Sequence, residues 1–188
     1  MMSTKAEQLQ RFLSNTGDRM IGDDGWFDLS MVWSVLEDLG SERDSQKKKY
    51  QSTKNWSKHS THFIGLVGET TVSIATGIPL NLVLDPAGDG CRDFTWEGKT
   101  LDVKGTIYWR NPHLKQYPKP KRWCDYLVLV GIDPIRQAST ICGWATADEM
   151  KAANLVDYGH GPQLSINGDD LHKGLPPFLP VRAKEVPS

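Results

Sequence analysis

The sequence predicts an α/β (α+β) fold in a single domain, and three features of the chain support this prediction. Two short β-prone runs flank Glu97-Gly98, and a glycine-containing pair between such runs is typical of a β-hairpin. The continuous apolar run over residues 126–132 is typical of a central strand that is buried on both faces. Apolar residues at helical spacing predict helices over residues 4–15, 29–39 and 61–77.

Length and composition exclude several classes of protein. The 188 residues suit one domain with a real core, and a net charge of −1 gives no global nucleic-acid signature. Three cysteines without CxxC spacing indicate a reducing, cytoplasmic compartment and no structural zinc. No apolar run approaches the roughly 20 residues that span a bilayer, and the N-terminus lacks the apolar core of a signal peptide. We therefore expect a soluble intracellular protein with no membrane partner.

The predicted helices have recognisable ends. The second is expected to stop at Gly40, and the third to begin at residue 60 or 61 and to end at Gly77. Gly65 and Gly68 are costly in a helix interior. Their presence predicts that another backbone approaches closely beside Glu69.

Further strands are predicted around the hairpin. One covers residues 80–85, the strand that begins at Lys99 extends to about Tyr108, and another covers residues 139–145. Thr146 and Glu149 have capping-box spacing and open a helix. Residues 155–188 show little periodicity, and we expect an irregular tail there.

Counting outward from Glu97-Gly98 gives the hairpin register. Trp96 faces Lys99, and Asp93 faces Asp102. Opposed side chains have Cβ atoms roughly 4.5–5.5 Å apart, so two charged aspartates repel unless a cation or a proton neutralises them. Two carboxylates are natural oxygen ligands for Mg²⁺.

The two faces of the hairpin differ in character. One is expected to be polar, with Lys104 able to hold an attacking water or to steady a phosphate, and the other is expected to face the core. A solvated hairpin with its polar residues outside is the alternative. The polar face carries Asp93, Thr95, Thr100, Asp102 and Lys104, and the expected core face carries Phe94, Trp96, Leu101 and Val103.

Two basic, aromatic stretches are candidate nucleic-acid contacts. Residues 41–60 form either a solvated linker or an arm that contacts phosphates. Residues 109–123 contain three prolines, which exclude a regular helix and predict a substrate-binding loop, with an ordinary surface crossover as the alternative. The candidate contacts are Lys47, Lys48, Lys49, Lys54, Arg110, Lys115, Lys119, Lys121 and Arg122.

The ordered set of Glu69, Asp93 and Asp102-Val103-Lys104 resembles the PD-(D/E)XK nuclease superfamily over about residues 60–150. In that family an acidic residue ends one strand, acid-X-Lys follows on the next, and the upstream helix adds a glutamate. Two features depart from the pattern. No proline precedes Asp93, and the proline-rich stretch 109–123 stands where the family commonly has a helix. Asp89 is a rival for the first acidic position, although Asp93 alone fits the register.

The resemblance implies a restriction-endonuclease-like core, with a central mixed sheet of about four to five strands flanked by helices and an N-terminal helical addition. It divides the chain into N-terminal helices with a basic linker (1–59), a catalytic core (60–154) and the tail (155–188).

The resemblance also implies an activity, namely metal-dependent hydrolysis of phosphodiester bonds in DNA, as an endonuclease of repair, recombination, phage or restriction type. Asp93, Asp102, the Val103 carbonyl and Glu69 would hold Mg²⁺, with Mn²⁺ able to substitute, and Lys104 would assist the attacking water. Many such enzymes act as homodimers because one site cuts one strand.

Three alternatives stay open at this point. The first is a catalytically silent nucleic-acid-binding protein on a nuclease fold. The second is an unrelated metal-dependent hydrolase of small phosphate esters, and the third is an interaction module in which the hairpin is scaffold. The intact acidic and lysine set argues against the first, and the basic, aromatic stretches argue against the second.

Overall fold

The computed structural model describes residues 4–46, 60–82, 92–120, 122–159 and 161–182, which form a mixed α+β structure. The helices are α1 (Thr4–Thr16), α2 (Trp33–Gln46), α3 (Thr61–Thr76) and α4 (Ala147–Ala152). The strands are β1 (Trp26–Asp28), β2 (Phe94–Trp96), β3 (Lys99–Thr106), β4 (His113–Gln116), β5 (Tyr126–Asp133), β6 (Ala138–Thr146), β7 (Asn154–Asp157) and β8 (Pro162–Asn167). None of the described helices is long and apolar enough to cross a bilayer.

A five-stranded mixed sheet with the order β1-β6-β5-β3-β2 forms the centre of the fold. β3 and β5 run parallel, and the other neighbouring strands in this sheet run antiparallel. β5 is buried along its length after Tyr126, which confirms the central strand that the apolar run predicts. The expected mixed sheet is therefore present. Many folds share this architecture, so the restriction-endonuclease-like topology stays a prediction.

The large sheet separates two hydrophobic cores. Val128 and Val130 of β5 project into the core that α1, α2 and α3 cover. Leu127 and Leu129 project to the other side, where Leu114 of β4 and Met150 of α4 belong to the same cluster. Both faces of β5 therefore pack against apolar side chains, as expected for a central strand.

A second sheet, with the order β4-β8-β7, covers this other side and was not predicted. The expectation of an irregular segment over residues 155–188 is wrong where β7 and β8 occur, and stretch 109–123 contains β4 rather than only a loop. β4 pairs with β8 about fifty residues later in the sequence, a long-range contact that leaves no local periodic signal. Leu80 to Leu82 form no strand, and the rest of segment 80–85 lies outside the described residues.

The predicted helix stop at Gly40 is wrong, because α2 continues to Gln46. A Cβ atom on Gly40 would lie 2.8 Å from the Cβ of Phe63 and 2.9 Å from its Cα. The glycine therefore permits α2 and α3 to cross closely. The third helix, in contrast, begins after the Ser60 cap and ends at Gly77, as predicted.

The glycines inside α3 have different surroundings. A Cβ on Gly68 would lie 3.1 Å from Cγ1 of Val103, which confirms the predicted close approach of another chain segment. For Gly65 the prediction has no support among the described residues, where the nearest neighbour would be Oε1 of Glu69 at 3.9 Å. α3 thus rests on β3 through Gly68.

Gly40→Ala and Gly65→Ala form a matched pair of variants, since both glycines lie inside helices. Alanine raises intrinsic helix stability by about 1 kcal/mol at either position. We expect this gain in the free energy of unfolding for Gly65→Ala. For Gly40→Ala we expect a net loss of about 1–3 kcal/mol, because the added methyl overlaps Phe63. Urea unfolding measures both changes, and equal changes would contradict the close helix crossing.

Candidate active site

A buried ion pair within β3 forms the centre of the candidate site. Asp102 is 3% exposed. Lys104 Nζ lies 2.9 Å from its Oδ1 and 2.7 Å from its Oδ2. The two residues share a face because side chains two apart on a strand project to the same side. The lysine side chain is 32% exposed, so the pair joins a buried carboxylate to a cation that reaches the surface.

Gln116 of β4 also belongs to this candidate site, and no sequence pattern predicts it. Its Nε2 lies 3.5 Å from Asp102 Oδ2, a long hydrogen bond, and its Oε1 accepts the N–H of Tyr117 at 3.2 Å. The amide is buried, at 7% exposed. β4 holds Gln116 over β3 because it pairs with the distant β8.

The hairpin that carries Asp93 has the predicted register. Trp96 pairs with Lys99 and Phe94 with Leu101. Glu97 and Gly98 have φ values of 48° and 77°, the left-handed conformations of a type I′ turn. The predicted core face is correct except for Trp96, which is 37% exposed at the end of the hairpin.

Asp93 lies opposite Asp102, one residue before β2 begins. Its N–H donates to the carbonyl of Leu101 at 3.0 Å, and its Oδ2 accepts the N–H of Val103 at 2.6 Å. The carboxylate thereby continues the strand pairing where the β2 backbone ends. The sequence predicts repulsion between the two carboxylates. The Val103 N–H stabilises the charge of Asp93 and the Lys104 ammonium stabilises that of Asp102, so both contacts offset this repulsion.

Glu69 belongs to α3, which covers β3 from the other side of the sheet. α3 rests on Val103 and Gly105, whereas Asp102 and Lys104 alternate with them and project to the opposite face. Arg43 of α2 lies 3.3 Å from Oε1 and 3.5 Å from Oε2 of Glu69, and both side chains are largely buried.

The described residues contain no cluster of three or more side chains able to ligate a metal. Among those residues, no three His, Cys, Asp or Glu side chains converge on one point. The metal site of Glu69, Asp93, Asp102 and the Val103 carbonyl accordingly stays a prediction. Asp89 lies outside the described residues.

Four of the predicted nucleic-acid contacts belong to the described residues. Lys47, Lys48, Lys49, Lys54 and Lys121 lie outside the described residues, and Lys119 and Arg122 are exposed. Lys115 alternates with the inward-facing Gln116 on β4, and its Nζ lies 3.4 Å from the ring centroid of Tyr158 on the outer side. The exposed Arg110 stacks on Trp109, with its Cζ 4.8 Å from the ring centroid.

Asp125 ties the hairpin to β5. Its Oδ2 accepts both the N–H and the hydroxyl of Thr100 at 2.8 Å, and its own N–H donates to that hydroxyl at 3.0 Å. The N–H of Thr100 and then its hydroxyl hold the pKa of the Asp125 carboxyl below its ordinary value. The start of β3 is thereby fixed to the strand beside it.

Comparison of the chain with family models, curated proteins and solved structures found no match. Functional inference therefore depends on the site itself.

Lys104→Met and Asp102→Asn should have unequal effects on stability. Removing the ammonium leaves a buried carboxylate without this cation, and we expect a loss of about 3 kcal/mol in the free energy of unfolding. Asp102→Asn removes the buried charge and leaves a lysine that can reach water, so we expect a loss of about 1 kcal/mol. Chemical unfolding at neutral pH measures both, and the reverse order would contradict the buried pair.

Asp125→Ala should destabilise the protein by about 1 kcal/mol at neutral pH, because it removes hydrogen bonds to a charged carboxylate. The lowered pKa means that this contribution is complete above the unfolded value of about 3.9 and disappears as the pH falls through the folded pKa. The difference in melting temperature between wild type and variant should therefore shrink in acid. Asp148→Ala, which removes an exposed carboxylate paired with Lys151, is the control. A difference that grows in acid would contradict the assignment.

Proposed function

We propose that this protein is a metal-dependent nuclease that hydrolyses phosphodiester bonds in nucleic acid, with DNA as the first substrate to test and endonucleolytic cleavage as the expected mode. One observation carries the proposal. A buried aspartate, a lysine two residues later and a second aspartate across a hairpin lie together on neighbouring strands of a mixed sheet. This arrangement is the one that the PD-(D/E)XK resemblance implies, and the resemblance supplies the reaction class.

The donor chemistry at Asp93 and Asp102 fits Mg²⁺, which prefers carboxylate oxygens and few protein ligands. Glu69 fits less directly, because Arg43 contacts both of its oxygens and α3 lies on the other face of β3. When bound, Mg²⁺ supplies Lewis acidity and a more acidic coordinated water. The fit therefore supports Asp93 and Asp102 as ligands more strongly than it supports Glu69.

The side chains of the site have separable roles in this mechanism. Lys104 keeps a cation at the surface end of the pair, where it can donate a hydrogen bond to the attacking water or to a phosphate oxygen. Gln116 restrains the orientation of Asp102 from β4. Val103 restrains Asp93 through its backbone N–H.

A catalytically silent nucleic-acid-binding protein is the second candidate function, and a specific observation favours it. Lys104 contacts both oxygens of Asp102, and Arg43 contacts both oxygens of Glu69. Internal cations thus already compensate carboxylates that the nuclease would use for metal. The nuclease remains the stronger proposal because Asp93 and Asp102 are opposed across the hairpin.

Cleavage of a mixed substrate panel tests the nuclease proposal. The panel contains linear duplex, supercoiled circle, single strand, branched DNA and RNA, each with Mg²⁺, with Mn²⁺ and with EDTA. We expect metal-dependent cleavage, and we expect Asp102→Asn to lower its rate by at least about a hundredfold. A sedimentation measurement on the same sample decides whether the active form is a homodimer.

Asp133→Asn is the matched control for this experiment. Asp133 is also a buried carboxylate of the large sheet, but it accepts the N–H groups of Ile135 and Arg136 in the turn after β5. It should keep wild-type cleavage after correction for folded fraction. Wild-type cleavage by Asp102→Asn would overturn the mechanism, and metal-independent binding without cleavage would favour the silent alternative.

A further inference from the structure

Two tryptophans and two arginines form a continuous row at one end of the large sheet. Trp26 of β1 and Trp109, three residues after β3, meet edge to face with ring centroids 5.1 Å apart and an interplanar angle of 89°. The guanidinium carbon of Arg136, in the turn between β5 and β6, lies 4.8 Å from the Trp26 ring centroid. Arg110 covers the Trp109 ring at the same distance of 4.8 Å. We call these four residues the stacking row.

The stacking row lies on the same face of the sheet as Asp102 and Lys104. Thr106 of β3 pairs with Gly131 of β5, two residues beyond the pairing of Lys104 with Leu129. A Cβ on Gly131 would lie 2.8 Å from the Cβ of Trp109, so the absent side chain makes room for this tryptophan on the sheet. The row therefore begins about 7 Å beyond Lys104 along the strands and crosses the sheet toward β1.

The exposure of the stacking row indicates that its tryptophans do not serve only to fill a hydrophobic core. Trp33, which packs edge to face on Phe63 in the helical core, is 3% exposed. Trp26 and Trp109 are instead partly exposed, and both arginines that cover them are exposed. The neighbouring Tyr108 is 63% exposed. Aromatic faces under mobile, weakly hydrated guanidinium groups are common where proteins stack on nucleobases.

An open cleft of about 290 Å³ adjoins Trp26. Asp24, Asp28 and Arg136 contribute to its lining. Its carboxylates can accept hydrogen bonds from the N–H groups of a base edge. Arg136 contacts Asp24 at 3.5 Å in an exposed pair, and such pairs are weak enough for the guanidinium to exchange partners.

We propose that the stacking row binds unpaired bases of a single-stranded nucleic acid and leads that strand toward Lys104. The bases stack on Trp26 and Trp109, and Arg110 and Arg136 move to the backbone phosphates. This inference rests on the proposed nuclease function, to which it adds the substrate class, a single strand or the unpaired part of a branched one. A paired duplex cannot offer its base faces to these rings, because they are stacked on neighbouring pairs.

Binding in EDTA tests the stacking row without any cleavage. A labelled single-stranded oligodeoxynucleotide, its duplex and a single-stranded oligoribonucleotide are titrated with the full chain, and tryptophan fluorescence is recorded. We expect both single strands to quench fluorescence and to bind at least about tenfold more tightly than the duplex. Trp26→Leu and Trp109→Leu should each weaken single-strand binding about tenfold, the usual cost of losing one stacking contact.

Two further sets of variants test the proposal if a tryptophan replacement unfolds the protein. Arg110→Gln and Arg136→Gln change exposed side chains, and each should weaken binding and lower its dependence on salt. Trp96→Leu removes a partly exposed tryptophan at the hairpin end and should leave binding unchanged.

Equal affinity for duplex and single strand, or equal loss in Trp96→Leu and Trp26→Leu, would overturn the proposal. If the stacking-row variants cleave nucleic acid at the wild-type rate, the proposal for the stacking row is overturned and the nuclease proposal stands. If the stacking-row variants weaken single-strand binding but no substrate is cleaved, the nuclease proposal is refuted and the proposal for the stacking row is supported.

Discussion

The compensation of the buried Asp102 carboxylate is the constraint on which the candidate site and the layer that covers it depend. A charge of this kind in a sheet with both faces covered is costly unless a cation and hydrogen-bond donors compensate it. Lys104 supplies the cation from the same strand, and Gln116 supplies an amide from the second sheet. The second sheet is therefore part of the site as well as the cover of a core. It buries the aspartate and also holds the amide that orients it.

The hairpin was predictable to the residue, whereas the layer that covers it was not. A glycine-containing turn and strict alternation determine a register locally, and the pairing of Trp96 with Lys99 follows from them. Gln116 depends on β4 pairing with β8, which are separated by α4 and three other strands. No period within residues 109–123 reports that pairing. Local pattern thus places the acidic and lysine residues of the candidate site on the hairpin, whereas the contact of Gln116 with Asp102 could not be predicted.

Glycine positions show the same limit of local reasoning. Glycine often follows a helix, which predicts a helix end at Gly40, but this residue lies inside α2 where Phe63 approaches. A costly glycine within a strong helical pattern predicts close approach at Gly68, and this prediction is correct. Gly131 gave no signal within a buried apolar strand, although its missing side chain admits Trp109. The structural role of each glycine therefore depends on the residue that packs against it, which is distant in the sequence.

The distribution of charge explains how a chain with a net charge of −1 can be proposed to bind a polyanion. Binding through many phosphate contacts requires a broad basic surface, and the described face instead offers a few cations beside aromatic rings. Stacking replaces part of the missing electrostatic attraction because every base has a π-face, whatever the net charge of the protein. Arg110 and Arg136 then contact phosphate along the row, and Lys104 attracts it near Asp102. A strand bound in this way would present its bases to the tryptophans and its backbone to the ion pair, which is the orientation that the proposed hydrolysis at Asp102 would require.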